Sequence, residues 1–143
     1  MNIEEIRGIA TTVRKEFESG EVDRELLEKI FRECRSQPVS NAHYYVQQAL
    51  RQFPKNCCEI ASVYLQTRLH IGHLEHGLYE DRRCPSSGGH GVLLLDHSMI
   101  ADITADQFGG PPVYVGPLRH PWRLPNASIG VQLRSMLRNI FVV

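Results

Sequence analysis

The feature that most constrains this chain is a turn feeding directly into a helix with two adjacent cysteines at its start. Residues 53–69 read FPKNCCEIASVYLQTRL. Pro54 closes any preceding helix, because the residue before a proline avoids helical backbone. A new helix is expected to begin near Asn56 or Cys57 and to run to about His70, with Gly72 just beyond it. Ala61, Leu65 and Leu69 form its apolar stripe, and Arg68 and His70 fall in the last turn, where positive charge suits the peptide dipoles. At the other end the dipoles favour a thiolate, the reactive form of cysteine. Cys58 is a candidate nucleophile and Cys57 competes with it, since both stand at the helix start. A free cysteine is more often a small buried hydrophobe, so the assignment requires partners elsewhere in the chain.

The partners are sought after the helix, where the periodicity changes. Residues 73–80 suit a strand, 82–89 (RRCPSSGG) suit a loop, and 92–95 and 99–103 suit two further strands. Residues 112–115 suit another strand, and 128–140 a closing helix interrupted by Gly130. His90 sits at the mouth of the 92–95 strand after a flexible glycine approach, and is the candidate general base. Asp102 interrupts the apolar 99–103 strand. A carboxylate there needs a partner, because burying it unpaired is costly. It is the candidate for orienting His90, its ordinary alternative being a cap for the following turn, where Thr104 and Asp106 could also serve. Asp96 suits a turn.

Strand alternation sharpens the pairing. Residues of antiparallel strands share a face only when they lie opposite or an even step apart. A three-residue loop at 95–97 puts His90 opposite Asp102, whereas a two-residue loop points them to different faces. Val92, Leu94 and Ile100 then line the histidine's face, and Leu93, Leu95, Met99 and Ile103 the other. Both faces are apolar, which predicts a hairpin covered on both sides.

Upstream, Ile3, Ile6, Ile9, Ala10, Val13 and Phe17 recur at helical spacing, closed by Gly20. Asp23 caps a second helix carrying Leu26, Leu27, Ile30 and Phe31, and Pro38 ends it. Ser40 or Asn41 starts a third, carrying Tyr44, Tyr45, Ala49 and Leu50. Helices first and strands later predict an α+β fold, helices packed on an antiparallel sheet. At 143 residues this is one domain: a helical part at about 1–52, a catalytic core at about 53–116 and a C-terminal helix at about 128–140.

Composition removes several function classes. Sixteen basic and sixteen acidic residues cancel, and no basic stripe suits nucleic acid. No apolar run is long enough to span a membrane. The acidic, amphipathic start MNIEEIRGIA is unlike a signal peptide. Cys34, Cys57, Cys58 and Cys84 match no secreted disulfide framework. A cytoplasmic setting is expected, although an effector exported without a cleaved signal has the same composition.

The segment Asn56-Cys57-Cys58-Glu59-Ile60-Ala61-Ser62, then His90 before a short apolar strand, then Asp102 in IADIT, resembles the papain-like and transglutaminase-like cysteine enzymes. In those families a cysteine opens a helix, and histidine and aspartate or asparagine follow on adjacent strands. The wording around FPxxCC and DITADQF is similar to a small bacterial subgroup of papain-fold proteins, and deamidase toxins and effectors share that broader fold. The resemblance covers about residues 50–116. It implies a papain-like or transglutaminase-like core and a Cys58–His90–Asp102 triad. The implied activity is a cysteine amidohydrolase of the peptidase, glutamine deamidase or transamidase type. Protein or peptide substrates are implied, and neither cofactor nor metal. It favours Cys58 over Cys57 by its spacing from Asn56. It also points weakly to Gln52 as an oxyanion donor, the backbone N–H of Cys58 being the safer one. Two departures leave substrate preference open. Glu59 stands where the family often has tryptophan, and Gly91-Val92 where alanine and an aromatic commonly follow the histidine.

Two other functions are weighed against this one. A catalytically inactive papain-fold binding module keeps the core and loses only the geometry. A zinc protein would use His73, His76, Cys84 and His90, but their spacing matches no ligand pattern and alternation separates His73 from His76. Trp122, in RHPWRLP, reads as a packed loop aromatic, and Arg82-Arg83 as a solvated pair.

Overall fold

The computed structural model describes residues 1–34, 39–80 and 89–124. The 82–89 loop, save Gly89, and the 128–140 helix expected from sequence lie outside them. Four helices come first: α1 (Ile3–Ser19), α2 (Arg24–Glu33), α3 (Ala42–Gln52) and α4 (Cys58–Leu69). Five strands follow: β1 (His73–Tyr79), β2 (Gly89–Leu94), β3 (Met99–Asp102), β4 (Tyr114–Pro117) and β5 (Trp122–Arg123). Every strand pairing is antiparallel, in the order β4-β3-β2-β1-β5. The α+β architecture expected from sequence is therefore present. Among the described residues no helix is long and apolar enough to cross a membrane.

Local chemistry accounts for the helix ends. Asn2 and Asp23 accept hydrogen bonds from the backbone of Glu5 and Leu26, capping α1 and α2. Gly20 closes α1 at φ 77°, where a side chain would be strained. The last of the four differs from expectation. Its buried residues are Ile60, Ala61, Ser62, Val63, Tyr64, Leu65 and Leu69, so α4 is enclosed around most of its circumference rather than along one stripe. It lies between the other helices and the sheet, and full burial of a residue such as Leu65 contributes about 2 kcal/mol.

The sheet separates two apolar clusters. Leu93, Leu95, Ala101, Ile103 and Val115 pack with the helices, while Val92, Leu94 and Ile100 join Tyr79, Ala105, Trp122 and Leu124 on the opposite face. This is the face assignment that alternation predicts. The hairpin turn is placed differently. Leu93 pairs with Ala101 and Leu94 with Ile100, and the connection is the short 3-10 turn Asp96–Ser98 rather than 95–97. The register slips by two residues, which preserves the parity. His90 and Asp102 still share a face but sit diagonally instead of opposite. Strand β4 also begins later than expected, at Tyr114.

The N-terminal helix is tied into the sheet end. Arg14 pairs with Asp106 in the 3-10 turn Ala105–Phe108, and Arg7 donates to the Val115 carbonyl of β4. Short strand β5 returns along β1 through Leu78–Arg123 and Tyr79–Trp122 pairs.

Candidate active site

Asn56 turns the chain at φ 59° and Cys57 acts as the N-cap, so α4 opens on Cys58 itself. The two cysteines then diverge. Cys57 is buried, and its thiol donates to the carbonyls of Ala49 and Lys55 at 3.3 and 3.1 Å. Burial, with the neighbouring Cys58 thiol adding to it, pushes Cys57 up to about 12, where a thiol is inert near neutral pH. Cys58 is partly exposed. Burial by itself would raise it, but bonding to His90 and to the Gly91 backbone outweighs that and holds the thiol below its ordinary value.

Strand β2 carries His90 as its second residue, paired across to Gly77 of β1. The ring is buried, only 2% exposed. Its Nε2 lies 2.6 Å from Asp102 Oδ2. Nδ1 is buried and makes no strict hydrogen bond, which leaves it as the nitrogen turned to the thiol. His90 and Cys58 act on each other as neighbours, through a contact looser than an aligned hydrogen bond. Such pairs are often loose before substrate arrives. Burial acts to lower the His90 pKa. Asp102 and then Cys58 overcome it and carry the imidazole up to about 9. A lowered thiol beside a raised imidazole titrates as a pair.

Asp102 uses both oxygens. Oδ1 accepts the Thr104 backbone N–H at 2.8 Å and its hydroxyl at 3.3 Å. Oδ2 accepts from His90 and from the Trp122 indole N–H at 2.7 Å. The sequence reading of Trp122 as loop packing is incomplete: it is a buried donor to the orienting carboxylate. Its signal was too thin to find, because a lone tryptophan in RHPWRLP gives no hint that β5 returns beside β1. Tyr114 stacks on Trp122 at 4.1 Å, and Phe108 meets the His90 ring edge-on at 5.0 Å. These aromatic rings keep water from the His90–Asp102 bond, which strengthens it.

The structure thus brings Cys58, His90 and Asp102 together. Gln52 is the exposed end of α3, its side-chain oxygen accepting from Asn56 at 3.4 Å. The zinc set does not assemble among the described residues. His73 turns to Glu75 at 2.8 Å and His76 lies 3.9 Å from Glu59, while Cys84 falls outside them. No protein-family model, curated protein or solved structure matches the chain.

Proposed function

We propose that this protein is a thiol amidohydrolase with a papain-like or transglutaminase-like core, using Cys58 as nucleophile, His90 as acid and base, and Asp102 as orienter. The observation that carries this reading is the buried 2.6 Å bond of His90 to Asp102 beside a partly exposed thiol on the first turn of α4, with the thiol lowered and the imidazole raised.

The Cys58 thiolate adds to an amide carbonyl carbon. The resulting oxyanion takes the Cys58 backbone N–H, which lies on the first turn of α4 and has no intrahelical acceptor. His90 Nδ1–H gives its proton to the departing nitrogen, and the C–N bond breaks to leave a thioester. A water then loses its proton to Nδ1 and adds to the thioester, releasing a carboxylic acid and the thiolate. An amine in place of water gives transamidation. Asp102 keeps Nε2 occupied throughout, so that only Nδ1 exchanges protons.

The test is alkylation by iodoacetamide near neutral pH, read by mass spectrometry of the modified peptides. Cys58 should react much faster than exposed Cys34, and Cys57 only after unfolding. A folded Cys58→Ala variant should lose ammonia release from glutamine peptides or cleavage of peptide amides. Equal, slow labelling of Cys58 and Cys34 overturns the reading.

A further inference from the structure

We propose that Arg14, on the N-terminal helix, is a positioning residue for the triad, acting on Asp102 through the peptide that joins Ile103 to Thr104. The inference rests on the thiol chemistry proposed above and assigns a role to a helix outside the segment that resembles the cysteine enzymes.

The Arg14 side chain is only 9% exposed. Nη1 donates to the Ile103 carbonyl at 2.8 Å, to Asp106 Oδ1 at 2.7 Å and more weakly to the Pro112 carbonyl at 3.4 Å. Nη2 donates to Asp106 Oδ2 at 2.7 Å, and Nε to Glu18 at 2.6 Å. The Ile103 carbonyl and the Thr104 N–H belong to one peptide unit. Its oxygen is held by the guanidinium, and its N–H is the 2.8 Å donor to Asp102 Oδ1. A cation on the carbonyl polarises the peptide and strengthens that N–H as a donor. It also fixes the peptide plane, and with it the rotation of the carboxylate whose other oxygen meets His90. The far face of the guanidinium lies 4.8 Å from the Phe53 ring, at the start of the 53–57 turn that delivers Cys58. One buried cation therefore touches the segment before the nucleophile and the segment after the orienter.

A salt bridge that merely fastened α1 to the sheet end would affect folding alone. The proposal is separated from that by the pH dependence of Cys58 alkylation with iodoacetamide. Without Arg14 the carboxylate loses its alignment on His90, the imidazolium forms less readily beside the sulfur, and the thiol pKa rises. In Arg14→Ala the acid limb should move up by about one unit, a roughly tenfold loss of rate at a pH below the limb. Among the described residues, the other titratable neighbours of the pair, Cys57, Tyr79, and the Glu59–His76 pair, are unaltered by the substitution. Arg14→Lys keeps a charge and one donor, and should recover part of the shift. Glu18→Gln removes an Arg14 contact off the path and should leave the limb in place.

Because Arg14→Ala strands the half-buried Asp106, the double variant Arg14→Met with Asp106→Leu removes both charges together and tends to preserve folding. Its limb should be displaced as in Arg14→Ala. A folded double variant whose limb coincides with the wild type overturns the proposal. A wild type whose Cys58 shows no depressed limb overturns instead the thiol chemistry beneath it.

Discussion

Replacing Asp102 by asparagine removes the charge behind His90 while keeping a side chain of the same shape. The imidazole is raised from 6.5 to about 9 in the folded protein. At about 1.4 kcal/mol per unit, that displacement corresponds to roughly 3 kcal/mol, the net of what Asp102 and Cys58 add and what burial takes away. The sign follows from the direction. A group that binds its proton more tightly when folded contributes fully below its unfolded value, near pH 6.5, and loses that contribution as pH rises through about 9. The depressed thiol behaves oppositely, losing its contribution as pH falls through its folded value. Asp102 opposes Cys58 ionisation, so its removal also eases loss of the thiol proton, and the histidine has to be followed directly. In Asp102→Asn, burial acts on the ring against Cys58 alone, and the imidazole should fall toward or below 6.5. Wild type should then exceed the variant most at pH 6, by up to about 10 °C in melting temperature. The gap should narrow toward pH 10. The assay is thermal unfolding across that range, with the His90 ring followed by NMR in labelled protein. A gap independent of pH, or a His90 midpoint that does not move, refutes the reasoning.

Trp122→Phe keeps the ring stacking but removes a buried donor to Asp102, and should cost about 1.5–3 kcal/mol in urea unfolding. Cys58 alkylation should persist, since Nε2 keeps its acceptor, and loss of alkylation without loss of stability contradicts this. Gly77→Ala drives a Cβ into the Arg123 carbonyl and against the Leu124 side chain, which would force β5 off β1. Destabilisation by at least about 1–3 kcal/mol is expected, together with a red-shifted emission from the sole tryptophan, Trp122. An unchanged spectrum would show that the strand accommodates the methyl.

What could be read along the chain was what neighbours within a turn or a strand decide. The apolar spacing from Ile3 to Phe17, the cap at Asp23 and the turn before α4 all follow from backbone preferences a few residues long. The parity of the hairpin was equally legible, since alternation by two survives a slip by two. His90 and Asp102 could therefore be assigned to one face with the wrong opposite partners.

The sequence by itself determined that a thiol stands at a helix start and that an imidazole and a carboxylate follow on one side of a hairpin. Packing alone sets which thiol stays accessible, because Cys57 and Cys58 differ chiefly in what buries them. It also decided that Trp122 and Arg14 support the carboxylate, one directly and one through a peptide. Local preference is set by adjacent residues, whereas the partner of a buried polar group is set by which distant segments pack against it. Nothing in a charged helix such as 3–19 marks Arg14, among its other charges, as the one to be enclosed.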